Sequence, residues 1–574
     1  MRIFLFPKYI KEKELQSCVL KNCSVVIDGQ NFLHDMYEES KLRFVFGCES
    51  DKYAEYLRNR LNMFKEANVK CFFVLKGGDS NVEKKIKKNE NADGDKFDFI
   101  ENNKFVAPVL MKEVYKQVLD EMGIPYVVCE FECKRDCVAL AERLSCPVIS
   151  NDIEFCFLNA PYIPYQTLRY NHNMKSIDCK QYKRNDFLKK HSLTERKLAI
   201  FSVLADTNVF PDGFFNDLLK SWGAMHKDVF MRFITMWQWL SKREESAALG
   251  VIRNRYRGDK EKIESAYNSV LDFMQPKQQS IAADYLLNGG KLHFEQNDSM
   301  WFQKGVVSKH IAIPYIDLYS NKYLIGKRAI ESKNSKFSLL LSMDIVKYAY
   351  NLLTDFKRDE FKYVIGSEEV RIQAKRAPGA IQTPAFANGW SDVKKMGLFE
   401  NFLKENSINE ALIAQAPSDA AMLLIALVYF ARKKSSDNVS VEREVYSVIT
   451  CFAMMAGSGD IAADDRAAAG EATRGYFEVS AGEMMRIFDR ESLHSFVELQ
   501  QCLQQLNYLN VLCGSPYEPT VYHRAYNGTF VYKLFRDMVD SDRDCASFVN
   551  NLFNCSTSVL CYINKLIGLY KQLL

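Results

Sequence analysis

The chain has 574 residues, of which 47% are hydrophobic and 13% aromatic. This composition excludes a wholly disordered chain, and the length predicts several domains of roughly 150 residues each. The net charge is only +4, from 76 basic and 72 acidic residues. The overall charge therefore does not indicate a nucleic-acid-binding protein, and any basic surface must be local.

The location of the protein is predicted from its apolar segments and its cysteines. No signal peptide is recognisable at the start, and no run of roughly 18 apolar residues predicts a membrane helix. Sixteen cysteines in a chain of this length are typical of reduced thiols rather than of a disulfide framework. We therefore expect an intracellular protein, nuclear or cytoplasmic, that does not contact a membrane.

Strands and helices alternate through the first 165 residues, as in a parallel sheet with helices on its faces. Four apolar runs predict the strands, and polar residues follow each run. The runs occupy residues 24–27, 71–75, 125–128 and 146–150. Because ligands of an open parallel sheet gather beyond the carboxyl ends of its strands, we expect these polar residues to converge.

The converging residues combine acids with two lysines. In chain order they are Asp28, Lys76, Glu132, Lys134, Asp152 and Glu154. A Mg²⁺ site needs oxygen ligands from carboxylates and water, and an ammonium group cannot coordinate a cation. The pattern therefore predicts a carboxylate cluster at the strand ends in which two positions carry the wrong charge for a metal ligand.

Three segments resemble the asteroid proteins, a branch of the flap-endonuclease superfamily with a PIN-like fold. They are VVIDGQNFLHDMY at 25–37, FFVLKGG at 72–78, and the stretch 107–164, which includes ECKRDCVALAERLSCPVISNDIEF. Weaker similarity continues at 197–211 and 502–519, so only the first ~210 residues carry specific motifs. The resemblance implies an α/β N-terminal PIN-like (flap-endonuclease-type) domain with a central parallel sheet, followed by a largely α-helical C-terminal half.

The resemblance also implies a metal-dependent, structure-specific endonuclease, in which clustered acids hold two metal ions. The catalytic and metal-ligand positions that keep an acid are Asp28, Glu132, Asp152 and Glu154, the last in place of an aspartate. The positions that have lost an acid are Lys76, Lys134 and Asn208. The site therefore looks degraded. The expected cofactor is Mg²⁺ or Mn²⁺ if the protein is active, and none otherwise.

Nearby acids offer an alternative reading of this site. The candidates are Asp79, Asp136 and Asp206, which lie within two or three residues of Lys76, Lys134 and Asn208. If they supply the missing oxygens, the two lysines point into solvent and ordinary metal chemistry is retained. Both arrangements stay open at the level of sequence.

A charged segment at 77–106 interrupts the alternation of strands and helices. In the flap-endonuclease superfamily this is the place of an arch over the substrate. Its lysines, which suit phosphate contacts, are Lys84, Lys85, Lys87 and Lys88. A solvated loop is an equally supported alternative.

The rest of the chain is predicted to be mostly helical. Amphipathic runs such as 227–246 have the apolar spacing of core-facing helices, and the most apolar segment, 412–434, predicts a buried helix. Small and acidic residues predict a linker or insertion at 456–475. The predicted division is a PIN-like domain at 1–210, a helical region at 211–455, the linker at 456–475, and a C-terminal helical region at 476–574.

Three functions follow from this reading. The favoured one is a pseudonuclease that binds nucleic acid, as single-stranded or branched DNA or as RNA, without cleaving it. The first alternative is an active metal-dependent endonuclease on single-stranded or branched DNA. The second is a protein-binding scaffold that contacts its partners through the helical half.

Overall fold

The computed structural model describes most of the chain, and two compact units account for it. The described residues are 3–83, 86, 105–224, 227–293, 299–326, 329–332, 335–365, 368–374, 385–386, 389–390, 392–434, 438–457, 459–541 and 543–574. Unit 1 consists of Met1–Phe32, Arg60–Lys76 and Ile124–Gly289. Unit 2 consists of Leu33–Asn59, Gly77–Gly123 and Gly290–Leu574.

Unit 1 is built on a five-stranded parallel sheet with the strand order β4-β3-β2-β5-β6. A second, antiparallel sheet has the order β1-β8-β7. The strands are β1 (Gln16–Leu20), β2 (Ser24–Asp28), β3 (Lys70–Leu75), β4 (Tyr126–Val128), β5 (Val148–Ser150), β6 (Tyr162–Pro164), β7 (Arg169–Asn171) and β8 (Ser176–Gln181). The predicted α/β fold with a central parallel sheet is thus confirmed.

Nine α-helices lie entirely within the described residues of unit 1. They are Phe6–Lys13, Lys134–Arg143, Arg184–Lys190, Glu195–Ala205, Asn216–Ser221, Val229–Ser241, Glu245–Arg255, Lys260–Met274 and Ile281–Leu287. Short 3₁₀ helices form at Ile153–Phe157, Tyr165–Thr167 and Arg257–Asp259. The helix Gly29–Ser40 begins in unit 1, and the helix Ser50–Glu66 ends in it.

The middle strand β2 shows why the sheet forms where it does. Val25, Val26 and Ile27 are all fully buried, which is typical of a parallel strand covered on both faces. In the pairing register, Ile27 lies opposite Phe73 of β3 and Ile149 of β5. This register aligns the carboxyl ends of the three strands, so the polar residues that follow them emerge at the same edge.

The helical region that was predicted to begin at residue 211 contributes its first part to unit 1. Phe233 and Trp237, on the helix Val229–Ser241, pack against Phe201 with ring centroids 5.5 and 5.3 Å apart. These buried rings belong to the core of unit 1, and the unit extends further along the chain to Gly289. The compact units therefore do not coincide with the predicted domain boundaries, and those boundaries stay predictions.

Unit 2 is largely helical, as predicted. Its α-helices are Met111–Glu121, Trp301–Val307, Ile313–Asn321, Met343–Leu353, Leu398–Glu405, Glu410–Ile413, Ser418–Lys434, Asn438–Met455, Ala463–Thr473, Ala481–Ile487, Arg490–Leu512, Gly528–Asp540, Cys545–Leu552 and Thr557–Leu573. Its 3₁₀ helices are Ser338–Ser342, Val393–Met396, Arg474–Phe477 and Tyr522–Arg524. A small sheet, unpredicted from the sequence, is formed by β9 (Tyr323–Ile325), β10 (Glu360–Ile365) and β11 (Glu368–Gln373) in the order β11-β10-β9.

Two predicted segments of unit 2 can be compared directly with the structure. The helix Ser418–Lys434 is buried from Ala420 to Ala431, as expected for the most apolar segment. The segment 456–475, predicted as a linker or insertion, contains the helix Ala463–Thr473, whose Asp465 accepts a hydrogen bond from the Ser558 backbone N–H at 2.6 Å. None of the helices in the described part of the chain combines the length and apolar character that a membrane span requires.

We expect Gly29→Ala to destabilise unit 1, because Gly29 follows Asp28 where the chain passes closest to β3. A Cβ there would lie 3.0 Å from Leu75 Cγ and 3.3 Å from the Val74 carbonyl oxygen. The free energy of unfolding, measured by urea titration, should fall by about 1–2 kcal/mol. Gly250→Ala is the matched control: Gly250 is also helical, its Cβ would meet no atom within 4 Å, and the substitution should stabilise by up to about 1 kcal/mol. Equal effects of the two substitutions would contradict the close packing at Gly29.

Candidate functional site

Asp28 is the buried centre of the strand-end site. It is the last residue of β2 and only 4% exposed. Its Oδ2 accepts a hydrogen bond of 2.8 Å from the Ser150 hydroxyl, and its Oδ1 accepts one of 3.3 Å from the Asn31 backbone N–H. Burial raises the pKa of Asp28 to about 6, although these two hydrogen bonds act in the opposite direction.

Lys134 joins two other carboxylates of the predicted cluster. It is the first residue of the helix Lys134–Arg143, and its side chain is 18% exposed. The Nζ atom lies 2.7 Å from Asp152 Oδ2 and 2.5 Å from Glu154 Oε2. The predicted acids Asp152 and Glu154 are therefore brought together by the cation that replaced an expected acid.

The charge states of this group are set by the ion pairs. Burial by itself would lower the pKa of Lys134, but Glu154 and Asp152 outweigh burial and raise it. Burial would likewise raise the pKa of Glu154, and the Lys134 charge outweighs it, so that this pKa lies below its usual range. Lys134 is therefore an ammonium at neutral pH and Glu154 a carboxylate.

Ser150 fixes the positions of Asp28 and Asp152 relative to each other. The Ser150 hydroxyl donates to Asp28 and accepts a hydrogen bond of 3.0 Å from the Asp152 backbone N–H. Asp152 in turn caps the 3₁₀ helix Ile153–Phe157, because its Oδ1 accepts from the Glu154 backbone N–H at 2.9 Å. Asp152 and Glu154 both lie where the chain leaves β5, and Lys134 reaches them from the start of the helix Lys134–Arg143.

Two residues of this network were not among the predicted site residues. Ser150 is the last residue of β5, and Asn31 accepts a hydrogen bond of 2.6 Å at Oδ1 from the Asn151 backbone N–H. The available signal was their position, since a polar residue at or just after the carboxyl end of a buried strand faces the converging loops. The predicted site residues were chosen mainly for their charge, so the neutral hydrogen-bonding side chains of Ser150 and Asn31 were not included.

Lys76 and Glu132 form a separate and more exposed ion pair. Lys76 directly follows β3, and its Nζ lies 2.6 Å from Glu132 Oε1. The Glu132 side chain is 55% exposed and that of Lys76 26%. A pair in contact with solvent gains little net free energy. The two lysines that replaced acids therefore lie in different surroundings, although both contact predicted acids.

The acids considered as replacements have contacts of their own. Asp136, 3% exposed, accepts hydrogen bonds from Lys277 Nζ at 2.7 and 2.9 Å and from the Ser280 hydroxyl at 2.6 Å. Its charge is thus already neutralised by Lys277. Asp206 is also buried, and its Oδ1 accepts a hydrogen bond of 3.0 Å from the backbone N–H of Asn208, which is exposed.

The charged segment at 77–106 is described only in part. Asp79 belongs to unit 2, where its backbone N–H donates to Asp317 Oδ1 at 2.7 Å and its carbonyl accepts from Asn321 Nδ2 at 3.0 Å. The four lysines predicted to contact phosphates lie outside the described residues; they are Lys84, Lys85, Lys87 and Lys88. Their role in binding stays a prediction.

The donor set at the strand ends can be tested against the two metal ions that the resemblance implies. Divalent ions of this kind are held by carboxylate and water oxygens. Here Lys134 occupies oxygens of both Asp152 and Glu154, and Lys76 occupies an oxygen of Glu132. Within the part of the chain that the structure describes, no group of three or more His, Cys, Asp or Glu side chains is arranged to hold a metal ion. This donor set does not fit a pair of divalent ions.

Comparison with known sequences connects the chain to the asteroid proteins. A model of the asteroid N-terminal domain matches residues 433–574, which lie in unit 2 and include the weak similarity at 502–519. Single-strand DNA endonuclease ASTE1 of Danio rerio is 27% identical over 205 residues, or 33% of this chain and 30% of the relative. The Homo sapiens protein of that name is 28% identical over 165 residues, covering 28% of this chain and 24% of the relative. Protein asteroid of Drosophila melanogaster is 30% identical over 166 residues, which cover 28% of this chain and 19% of the relative.

These matches confirm the resemblance, and each spans less than a third of the relative's length. Two solved structures are similar at low TM-scores. Human GEN1 in complex with Holliday junction DNA has a TM-score of 0.34 and 13% identity, covering 55% of this chain and 75% of GEN1. The catalytic core of Rad2 in complex with DNA substrate has a TM-score of 0.31 and 12% identity, and the match covers 53% of this chain and 86% of the Rad2 chain.

We expect the two lysines to differ in their effect on stability. Lys134→Met leaves the partly buried Asp152 and Glu154 without their shared cation and should lower the free energy of unfolding by about 2 kcal/mol. Lys76→Met removes a solvent-exposed pair and should change it by less than about 0.5 kcal/mol. Urea unfolding with and without Mg²⁺ measures both, and Mg²⁺ should recover part of the loss only in Lys134→Met. Equal stability of the two variants would show that Lys134 is not the counter-ion of the cluster.

Asp28 should make stability depend on pH in a defined direction. Because its pKa is raised to about 6 in the folded chain, the folded state keeps the proton over a range in which the unfolded chain has lost it. This stabilisation is fully present below about pH 4 and is lost as the pH rises through about 6. Relative to Asp28→Asn, the parent should therefore lose about 3 kcal/mol of unfolding free energy between pH 4 and pH 7. A difference that is constant over this range would contradict the buried carboxyl.

Proposed function

We propose that this relative of the asteroid proteins binds nucleic acid through a nuclease fold without hydrolysing it. The ion triad of Lys134, Asp152 and Glu154 carries the proposal. The relatives named single-strand DNA endonucleases support single-stranded DNA as the class of nucleic acid.

The chemical argument rests on what an ammonium group is able to supply. In a two-metal nuclease the metal ions lower the pKa of a bound water and stabilise the leaving oxygen. The Lys134 ammonium carries one charge, cannot coordinate water as a Lewis acid, and is held by Asp152 and Glu154. The strand-end residues that the structure describes thus offer an ammonium in place of the Lewis acid that would generate hydroxide at neutral pH.

The two lysines at positions where acids are expected also favour binding of nucleic acid in the absence of metal. Four unpaired carboxylates at the strand ends would repel a phosphate backbone. Lys134 and Lys76 each contact acids of this set directly, which reduces the repulsion close to the site. Phosphate contacts require cations and not base recognition, so we expect metal-independent binding that is sensitive to salt.

A second candidate is an active metal-dependent endonuclease, and the names of the relatives favour it. It requires a bound metal to displace Lys134 from Asp152 and Glu154, or to bind elsewhere. Cleavage assays distinguish the two candidates, because an active enzyme needs Mg²⁺ or Mn²⁺ and depends on Asp28.

We expect the full chain to bind single-stranded and flap DNA in EDTA, measured by fluorescence anisotropy, and to cleave neither in Mg²⁺ or Mn²⁺. Because each phosphate contact releases counterions, affinity should fall at least tenfold between about 50 and 200 mM salt. Metal-dependent cleavage that Asp28→Ala abolishes would establish the active enzyme instead. Undetectable binding at low salt would contradict both nucleic-acid functions and favour a protein-binding scaffold.

The double variant Lys76→Asp with Lys134→Asp isolates the role of the strand-end lysines. It restores the acidic positions, so it should gain calorimetrically measurable Mn²⁺ binding and lose affinity for DNA in EDTA. Lys175→Asp with Lys180→Asp is the matched control, since both lysines are exposed, belong to the same unit and change the net charge by the same amount. A double variant that gains no Mn²⁺ binding, or that binds DNA as the control does, would remove the two lysines from the proposed mechanism.

A further inference from the structure

Two cysteines of the antiparallel sheet in unit 1 are directly opposite each other. β1 pairs with β8 in a register that sets Cys18 against Cys179. Their Sγ atoms lie 2.9 Å apart, and the Cys179 thiol is also 3.5 Å from the Cys18 carbonyl oxygen. The two thiols thus already touch, and the strand ladder holds both backbones in place.

The register of the strands meets the geometric requirement of a disulfide. Directly opposed residues of an antiparallel pair have Cα atoms roughly 4.5–5.5 Å apart. Disulfides join cysteines whose Cα atoms are about 4.4–6.8 Å apart. A covalent bond between Cys18 and Cys179 therefore needs rotation of the side chains and no rearrangement of β1 or β8.

The two thiols differ in their access to solvent and in acidity. Cys18 is half-buried, whereas Cys179 is 5% exposed. The hydrogen bond with Cys179 and the charge of Lys183 lower the pKa of Cys18 against the effect of burial. The same hydrogen bond, together with burial, raises the pKa of Cys179. Cys18 is therefore the thiol that a dissolved reagent reaches and that reacts as the thiolate.

Other cysteines lack this combination of access and pairing. Cys133 and Cys137 interact with each other near the start of the helix Lys134–Arg143, but both are buried. Cys555 and Cys561 are exposed and lie on or next to the helix Thr557–Leu573. Only a reactive thiol with a partner in register forms an intrachain disulfide in preference to an adduct.

We propose that Cys18 and Cys179 form a reversible intrachain disulfide with a small disulfide oxidant such as oxidised glutathione. The Cys18 thiolate attacks one sulfur of the oxidant and releases the first glutathione thiolate, which leaves a mixed disulfide on Cys18. The Cys179 thiol then loses its proton, attacks the Cys18 sulfur and releases the second glutathione. Two protein thiols are oxidised, one glutathione disulfide is reduced to two thiols, and the protein's two protons pass to the leaving thiolates.

The disulfide would stabilise the strands of unit 1 that support the strand-end site. It connects positions 161 residues apart, so it restricts the unfolded chain strongly. β1 continues through three residues into β2, which ends at Asp28, and Tyr182 directly after β8 pairs with Tyr162 of β6. The disulfide therefore links the strand that precedes β2 with the strand whose next residue pairs with β6. It is independent of the proposed nucleic-acid function.

The test uses the full chain with Cys555→Ser and Cys561→Ser, so that the exposed thiols do not react. After incubation with oxidised glutathione, free thiols are alkylated and the protein is digested and analysed by mass spectrometry. We expect a cross-linked peptide pair containing Cys18 and Cys179, a protein lighter by two hydrogen atoms, and complete reversal by dithiothreitol.

Two further variants separate the disulfide from simple adduct formation. Cys179→Ala leaves Cys18 accessible without its partner; the loss of the Cys179 hydrogen bond should slow its reaction, but a glutathione adduct on Cys18 should accumulate because no second thiol removes it. Cys18→Ser should form neither the cross-link nor that adduct. The proposal is overturned if the parent keeps a stable glutathione adduct on Cys18, if Cys18 pairs with Cys23 instead, or if Cys18 and Cys179 are both fully alkylated after oxidation.

Discussion

The contact of Lys134 with Asp152 and Glu154 is the constraint on which the strand-end site depends. A parallel sheet directs the ends of its strands to one edge, and in this chain that edge collects acids. Acids at such short range do not all stay ionised unless a cation lies among them. A dissolved metal ion provides this cation in a two-metal nuclease, whereas here a covalently attached ammonium does so. The positive charge between Asp152 and Glu154 is therefore part of the polypeptide itself.

Residues without charge give this arrangement its geometry. The Ser150 hydroxyl serves Asp28 as a donor and Asp152 as an acceptor, and Asn31 holds the backbone at Asn151. Asp28 is thus held by neutral groups, while Asp152 and Glu154 are held by a cation. The buried acid is the one with a raised pKa, because its hydrogen bonds do not fully compensate for the loss of solvent.

Four strands of the central sheet, β2 to β5, were predictable because they are continuous apolar runs, which are typical of strands covered on both faces. The fifth strand, β6, was not predicted, because it is only three residues long and ends in a proline. The strands β1, β7 and β8 of the antiparallel sheet were not predicted, because their mixture of exposed and buried residues resembles that of loops. The acids of the site were found from their positions at strand ends. The ion pairs of Lys134 with Asp152 and Glu154 could not be predicted from the sequence, because they depend on the conformation of a flexible lysine side chain. The ion pair of Asp136 with Lys277 was not predictable either, because it joins residues 141 positions apart and no local sequence pattern indicates it.

Neither compact unit is a continuous stretch of sequence, since each is assembled from three separate segments. The central strand β2 is synthesised before β5, with which it pairs and which is more than 100 residues later in the chain. A ribosome-bound chain thus has β2 with only one sheet neighbour, β3, until residues 148–150 have emerged. The backbone N–H and C=O groups on one edge of β2 are unpaired during that interval, and an unpaired edge exposes a nascent chain to mispairing. Among the strands of the central sheet, β2 is therefore the one that remains without one of its neighbouring strands for the longest stretch of synthesis.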